Sequence, residues 1–442
     1  MNNLADRFHH YSENLQGLST IRVDGRVREI TGIVIEATVK SGSVGDVCQI
    51  YTNNQEPIRA EIVGFRDNKV LLMPLGETVG VSPGNRVKRN TRPLRIEVGE
   101  ELLGRIIDGL GNPLDGKGKI KSKNFLSVYN KPPNPLTRKR IAEPLMTGIR
   151  AIDGLVTLGK GQRVGIFAGS GVGKSVLLGM IAQYTDADVN VIALIGERGR
   201  EVREFIERDL GAQGLQKSVV IVATSDQAAT VRIKGALIAT TIAEYFRDQG
   251  KDVLLLMDSL TRVAMAQREI GLAIGEPPTT KGYTPSVFAL MPRLLERAGN
   301  SEKGSITGLY TVLVEGDDFD EPISDAARSI LDGHVVLSRR LSTSGHYPAI
   351  DVLESVSRLK NEVVDEEHRK RSEEILELLA VYRESEDLIN IGAYEAGSNP
   401  RLDKAIALID SINQYLRQNV SEKSQFDDTR TALLELIRKD QQ

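Results

Sequence analysis

The stretch Ala168-Gly169-Ser170-Gly171-Val172-Gly173-Lys174-Ser175 lies between an apolar run, Val164-Gly165-Ile166-Phe167, and a helix-like run, Val176-Leu177-Leu178-Gly179-Met180-Ile181. Strand, glycine-rich loop and helix in that order make a phosphate cradle built from backbone. Glycines at 169, 171 and 173 allow positive φ and let successive N–H groups approach phosphate oxygens closely. The first turn of the helix adds its partial positive charge. Gly169, Ser170, Gly171, Val172 and Gly173 then form the cradle, Lys174 reaches the β- and γ-phosphates, and Ser175 offers its hydroxyl to Mg²⁺. Ala168 stands where the motif usually begins with glycine, a position that needs a small side chain more than a positive φ. The alternative is a glycine-rich turn with a chance Gly-Lys-Ser. It does not account for the strand on one side and the helix on the other.

Two further strand ends carry the chemistry that a bound nucleoside triphosphate needs. Val253-Leu254-Leu255-Leu256-Met257-Asp258 is an apolar strand ending in a carboxylate, the Walker B arrangement, and Asp258 there would hold Mg²⁺ through its water shell. Gly196-Glu197-Arg198-Gly199-Arg200-Glu201 follows the apolar run Val189–Ile195. Hydrolysis requires a carboxylate to orient and polarise water, and Glu197 has that placement. Arg198 could neutralise charge on the γ-phosphate. The bland reading of this segment is a solvated charged turn that starts a helix.

At 442 residues the chain is long enough for two or three domains. A 40% hydrophobic and 26% charged composition is that of a folded protein, and a net charge of −3 gives no reason to expect non-specific nucleic-acid binding. Cys48 is the only cysteine, which excludes an internal disulfide and a cysteine zinc cluster and suits a reducing cytosol. Residues 1–16 carry charges where a signal peptide needs an apolar core, and no apolar run is long enough to cross a membrane. Any membrane association is therefore expected through partners.

Residues 1–20 read as an amphipathic helix, with Leu4, Phe8, Tyr11, Leu15 and Leu18 on one stripe, either packed on the chain's own body or docking a partner. Residues 21–92 read as short strands at Ile30–Val39, Val47–Tyr51, Ile58–Phe65, Val70–Met73 and Arg86–Arg89, a small barrel serving assembly. Pro132-Pro133-Asn134-Pro135 marks a stiff crossing. Residues 93–365 then alternate helices with apolar strands at Val164–Phe167, Val189–Ile195, Val219–Thr224, Val253–Met257 and Ile306–Val314, which suits a buried parallel sheet. Residues 366–442 read as a helical cap.

On these and three further stretches the chain resembles the flagellum-specific type III export ATPases, relatives of the rotary ATP synthase catalytic subunit. The stretches are Leu103-Gly104-Arg105-Ile106-Ile107-Asp108-Gly109-Leu110-Gly111-Asn112-Pro113-Leu114-Asp115-Gly116, Thr147-Gly148-Ile149-Arg150-Ala151-Ile152-Asp153-Gly154 and Pro277-Pro278-Thr279-Thr280-Lys281-Gly282-Tyr283-Thr284-Pro285-Ser286-Val287-Phe288. The family's phosphate loop also begins with alanine. The resemblance implies an α/β fold with a RecA-like P-loop ATPase core, an N-terminal β-barrel and a C-terminal helical domain. It makes Glu197 the catalytic carboxylate, Asp258 the Walker B acid and Arg198 a γ-phosphate contact. Tyr347, in His346-Tyr347-Pro348-Ala349-Ile350-Asp351, matches the aromatic on which adenine stacks, and Arg358, in Ser355-Val356-Ser357-Arg358, matches an arginine finger acting in the neighbouring subunit.

A finger acting in trans implies a ring, in this family a homohexamer. The expectation is a cytoplasmic ATPase, with ATP and Mg²⁺ as cofactors, that energises or primes protein export and sits peripherally at the membrane export gate. Its expected partners are a stator-like regulatory protein at residues 1–18, membrane proteins of the export apparatus, and export substrates with their chaperones, but no specific nucleic acid. A virulence-type secretion ATPase is the near alternative. A rotary ATP synthase subunit, a hexameric RNA translocase and a non-catalytic nucleotide-binding subunit are the distant ones. The absence of tryptophan and 5% aromatic content disfavour the translocase, and Glu197 disfavours the non-catalytic subunit.

Overall fold

The computed structural model describes residues 24–52, 56–314, 316 and 318–438. The amphipathic stretch at 1–20 lies outside the described residues. The chain divides into two compact units, one ending at Leu94 and the other beginning at Arg95.

The first unit is a closed antiparallel barrel of β1 (Gly25–Thr31), β2 (Val34–Thr38), β3 (Asp46–Tyr51), β4 (Ile58–Arg66), β5 (Lys69–Pro74) and β6 (Arg86–Pro93), in the order β1-β2-β5-β4-β3-β6. The run Ile30–Val39, expected as one strand, is two. Gly32, at φ 59°, takes the left-handed conformation that turns β1 back onto β2. Pairing of Gly25 with Val87 and of Arg26 with Arg86 closes the ring, so no strand edge is left open. Val27, Ile35, Ile50, Ile62, Leu72 and Val87 fill it. Cys48 is buried among them, and burial, helped by the charge of Asp46, pushes its thiol up to about 11.

The second unit is built on a nine-stranded sheet. Its main path runs β14 (Ile350–Ser357), β13 (Gly333–Leu337), β8 (Arg163–Ala168), β12 (Ser305–Leu313), β11 (Asp252–Asp258), β9 (Val189–Ile195), β10 (Ser218–Ala223) and β7 (Arg105–Asp108). Along that path every pairing is parallel except β13 with β14. Strands β9 and β10 are buried at every residue, as continuous Val/Ile/Leu runs covered on both faces require.

The helices that cover this sheet include α1 (Lys174–Tyr184), α2 (Ala229–Asp248), α3 (Leu260–Ile274), α4 (Pro285–Leu295), α5 (Glu366–Asn390), α6 (Pro400–Leu416) and α7 (Phe426–Arg438). α5 starts at Asp365, whose carboxylate accepts from His368 N at 2.9 Å, and α6 starts at an Asn399 cap followed by Pro400. The three C-terminal helices do not form a core of their own. Ile375, Leu408, Ile412 and Leu433 share one apolar cluster with Leu177 and Ile181 of α1 and with Ile192 and Leu254 of the sheet.

Candidate active site

Parallel strands all point their C-terminal ends to one edge of the sheet, and the candidate residues collect there. Strand β8 ends at Ala168 and runs into the glycine loop. Gly171 at φ 79° and Gly173 at φ 91° take left-handed conformations, whereas Gly169 does not. Gly169, the first glycine of the loop, is therefore not needed for a positive φ, contrary to expectation. Val172 is buried and anchors the loop, while Ser170 and Gly171 face outward. Helix α1 begins at Lys174 with no side-chain cap, which leaves the N–H groups of its first turn turned toward the loop, with Ser175 among them.

Glu197, just beyond β9, and Asp258, the last residue of β11, meet the lysine. Lys174 Nζ donates to Asp258 Oδ1 at 2.5 Å and to Glu197 Oε1 at 3.3 Å. The side chains of Lys174, Asp258 and Glu197 are only 13%, 5% and 15% exposed, so the attraction is poorly screened. Burial on its own would lower the Lys174 ammonium, but the two carboxylates outweigh it and hold the group above its usual value. Burial and then the charge of Asp258 push the Glu197 carboxyl up to about 7, against the pull of Lys174. An acid that exchanges its proton near neutrality is matched to the work of a general base on water.

Two residues not expected from the sequence stand at the cluster, Thr311 bonded to it and Arg262 beside it in the fold. Thr311, on β12 between β8 and β11, donates its hydroxyl to Asp258 Oδ1 at 2.7 Å. Arg262 lies one helical turn past Asp258, and its backbone N–H donates to the Ser259 hydroxyl that caps α3. Its Nε is buried without a hydrogen-bond partner. Gly196, at φ 73°, lets it in, because a Cβ there would lie 2.7 Å from Arg262 Cβ. A strand-end carboxylate followed four residues later by arginine was the available signal.

The other expected residues are placed differently. Arg198 does not join the cluster. It occupies the residue before the helix Gly199–Glu204 without a side-chain cap, its side chain 81% exposed and 3.6 Å from Glu201. Tyr347 does reach the loop, since its half-exposed ring would lie 3.7 Å from a Cβ at Gly173. Its carbonyl accepts from Gln418 N at 2.9 Å. Gln418 is buried, donates its amide to Gly148 O and Glu422 O, each at 2.7 Å, and accepts from Arg150 N at 2.8 Å. Behind it, the Asp153 carboxylate accepts from Thr147 N, Thr147 Oγ1 and Gly148 N at 3.0, 2.6 and 2.9 Å, which explains the Thr147-to-Gly154 stretch as a built turn.

Arg358 lies on the other side of the sheet. Antiparallel pairing puts Ile350 opposite Leu337 near the phosphate loop and Ser357 opposite Gly333 at the far edge. Eight extended residues span about 25 Å, so Arg358 cannot serve its own chain's loop. It is exposed, and its backbone N–H donates to Asp332 O at 3.1 Å.

The donor set suits a hard cation, with a serine hydroxyl and a carboxylate converging beside a place for phosphates. Among the described residues no group of three or more His, Cys, Asp or Glu side chains could hold a metal by itself. Mg²⁺ shared with substrate phosphates requires no such group.

Sequence-family models match successive segments of the chain. The β-barrel domain of the ATP synthase alpha/beta family covers residues 27–90, and the nucleotide-binding domain of that family covers residues 148–357. The C-terminal domain of the type III secretion EscN ATPase covers residues 364–435. The flagellum-specific ATP synthase of Bacillus subtilis is 54% identical over 414 residues, which is 93% of this chain and 94% of that protein. The type 3 secretion system ATPase of Xanthomonas euvesicatoria is 50% identical over 416 residues, 94% of each chain. Among solved structures, the assembled ATPase EscN of the enteropathogenic E. coli type III secretion system superposes with a TM-score of 0.89 at 46% identity, covering 93% of this chain and 99% of that one. The same ATPase in complex with its central stalk EscO gives 0.87 at 45% identity, with the same coverage.

Proposed function

Because the chain belongs to the ATP synthase alpha/beta family, in its branch of flagellum-specific and type III secretion ATPases, we propose that it hydrolyses ATP at the Lys174–Glu197–Asp258 cluster and so energises or primes protein export through a flagellar type III apparatus. The observation that carries this reading is the Lys174 ammonium held between two strand-end carboxylates beside an uncapped helix start.

The cradle 169–173 and the first turn of α1 bind the phosphates through backbone N–H groups, and Lys174 turns from the carboxylates to the β- and γ-phosphates. Asp258, kept in place by Thr311, and the Ser175 hydroxyl would hold Mg²⁺, which neutralises phosphate charge when bound. Glu197, relieved of Lys174, orients the attacking water and accepts its proton. Arg262 offers its unpartnered Nε–H toward the γ-phosphate. Arg198 swings in from solvent to the same charge, and Tyr347 offers its ring to adenine. Arg358 reaches the γ-phosphate of the next chain in a homohexamer, for which the far-edge placement of the residue is the support.

Residues 1–20 act as a docking helix for a stator-like regulator, the barrel of 21–92 as the ring's assembly module, 93–365 as the catalytic domain and 366–442 as its helical cap. Export-apparatus membrane proteins, substrates and chaperones are the remaining partners, at the cytoplasmic face of an export gate. Lys174→Ala tests the reading. It should weaken ATP binding at least tenfold, because it removes a charge from the ground-state complex. Unchanged affinity in a titration with fluorescent ATP would overturn the assignment.

A further inference from the structure

We infer that Gln162 and Asp332 are positioning residues for Arg358, and that through them the arginine a chain lends to its neighbour is tied to the strand that carries its own phosphate loop. This rests on the reading of Arg358 as acting in trans.

Gln162 immediately precedes β8 and is fully buried. Its amide nitrogen donates to Asp332 O at 3.0 Å and to Ser357 Oγ at 3.1 Å, and its amide oxygen accepts from Gly159 N at 2.8 Å. Asp332 O is also the acceptor of the Arg358 N–H, so one carbonyl receives both residues. The Asp332 side chain is fixed in turn by the first residue of β8. Arg163 donates Nε to Oδ2 and Nη2 to Oδ1, each at 3.0 Å, and its backbone N–H to Oδ2 at 3.1 Å. Arg163 also pairs with Glu296. Gly333 makes the approach possible, since a Cβ there would lie 3.3 Å from Gln162 Nε2 and 2.4 Å from Val356 O.

Strand β8 thus begins at the anchor of Arg358 and ends, at Ala168, in the phosphate loop. A buried strand moves as a rigid rod, so a displacement of the loop on nucleotide binding is delivered to Arg358 at the other end. Occupancy of one site then adjusts the arginine supplied to the next.

The experiment is a double-mutant cycle. Gln162→Met keeps the length of the side chain and removes its donor and acceptor. It should lower kcat by ~10- to 100-fold, the cost of misplacing a catalytic group by about an ångström, while ATP affinity stays within about twofold and the cooperative dependence of rate on ATP flattens. Combined with Arg358→Ala it should cost no more than Arg358→Ala by itself, because Gln162 acts through that residue. Losses that multiply, or an unchanged kcat in Gln162→Met, would overturn the proposal and leave the trans role of Arg358 standing. Wild-type turnover in Arg358→Ala would overturn both. If Gln162→Met does not fold, Ser357→Ala removes the hydroxyl that accepts from Gln162 Nε2 and lies 3.4 Å from Gln162 Oε1, leaves the Gln162 bond to Asp332 O, and enters the same cycle, with a smaller drop and the same non-additivity expected.

Discussion

Glu197 carries opposed demands, because the burial and negative neighbour that make it a base at neutral pH also make its charged form costly. With its carboxyl pushed up to about 7, kcat/KM should rise with pH through that region and then level off, since only the deprotonated form accepts a proton from water. The stability consequence has the opposite sign. A folded-state value above the unfolded one favours the protonated form, so wild type loses stability as pH rises toward about 7 and the uncharged Glu197→Gln does not. Thermal midpoints should therefore be close at pH 5 and separate by about 2–4 °C in favour of Glu197→Gln at pH 8, although that variant binds ATP and scarcely turns over. Equal midpoints at pH 8 would mean that the charge is compensated. Arg262→Ala should lower kcat about 10²-fold, as removal of one preorganised donor does, with little loss of stability, because its Nε forfeits no hydrogen bond. An unaltered rate would remove it from the site. The glycine loop, Asp258 and Glu197 could be read in the sequence because each is announced by its own apolar strand. Thr311 could not, since its role depends on which strand lies beside β11, and Arg262 left only the bare spacing of an arginine four residues after Asp258, whose meaning depends on one turn of α3. The outward pose of Arg198 is equally hidden, because its ion pair with Glu201, one turn along the same helix, draws it away from the strand ends.

Among the elements, those stitched by buried charge are the least forgiving. Arg297, in the turn just past α4, and Glu244, on α2, are 2% and 3% exposed at their side chains and pair at 2.7 Å. Arg297 also donates to Val128 O at 2.9 Å and to Thr241 Oγ1 at 2.8 Å, while Asn130 donates to Glu244 at 2.8 Å. The pair thereby clamps the segment before the Pro132–Pro135 crossing onto two helices. Glu244→Ala strands a buried guanidinium and should cost about 3–5 kcal/mol in urea unfolding of the second unit. A loss below about 1 kcal/mol would show that water reaches the site. None of this could be read from a sequence in which Glu244 sits in an unremarkable helical run and Arg297 just after another. Strands are more legible, and Val189–Ile195 has the bounds its apolar run predicts, its one polar side chain, Asn190, being buried with its amide donating to Ala182 O at 2.8 Å. By contrast β7, β13 and β14 were passed over, being short or carrying polar residues that only the sheet's neighbours explain.

For the whole molecule, the decisive geometry is that the phosphate loop and Arg358 occupy opposite edges of one sheet. Arg358→Ala should leave ATP affinity nearly normal and remove hydrolysis by roughly 10³ or more, the worth of an arginine supplied in trans. Mixed with Glu197→Gln it should regain activity, because mixed rings contain junctions where an intact Glu197 faces an intact Arg358. Mixed rings that form and remain inactive would end the shared-site mechanism. Sequence alone could suggest this residue only by resemblance, since nothing local distinguishes one exposed arginine at a strand end from another. On this reading a solitary chain holds halves of two different sites and a whole one of neither. Dilution by itself then keeps the enzyme idle, and ATP is spared wherever copies are too sparse to meet. Gathering the chains at one place is already the act of switching them on.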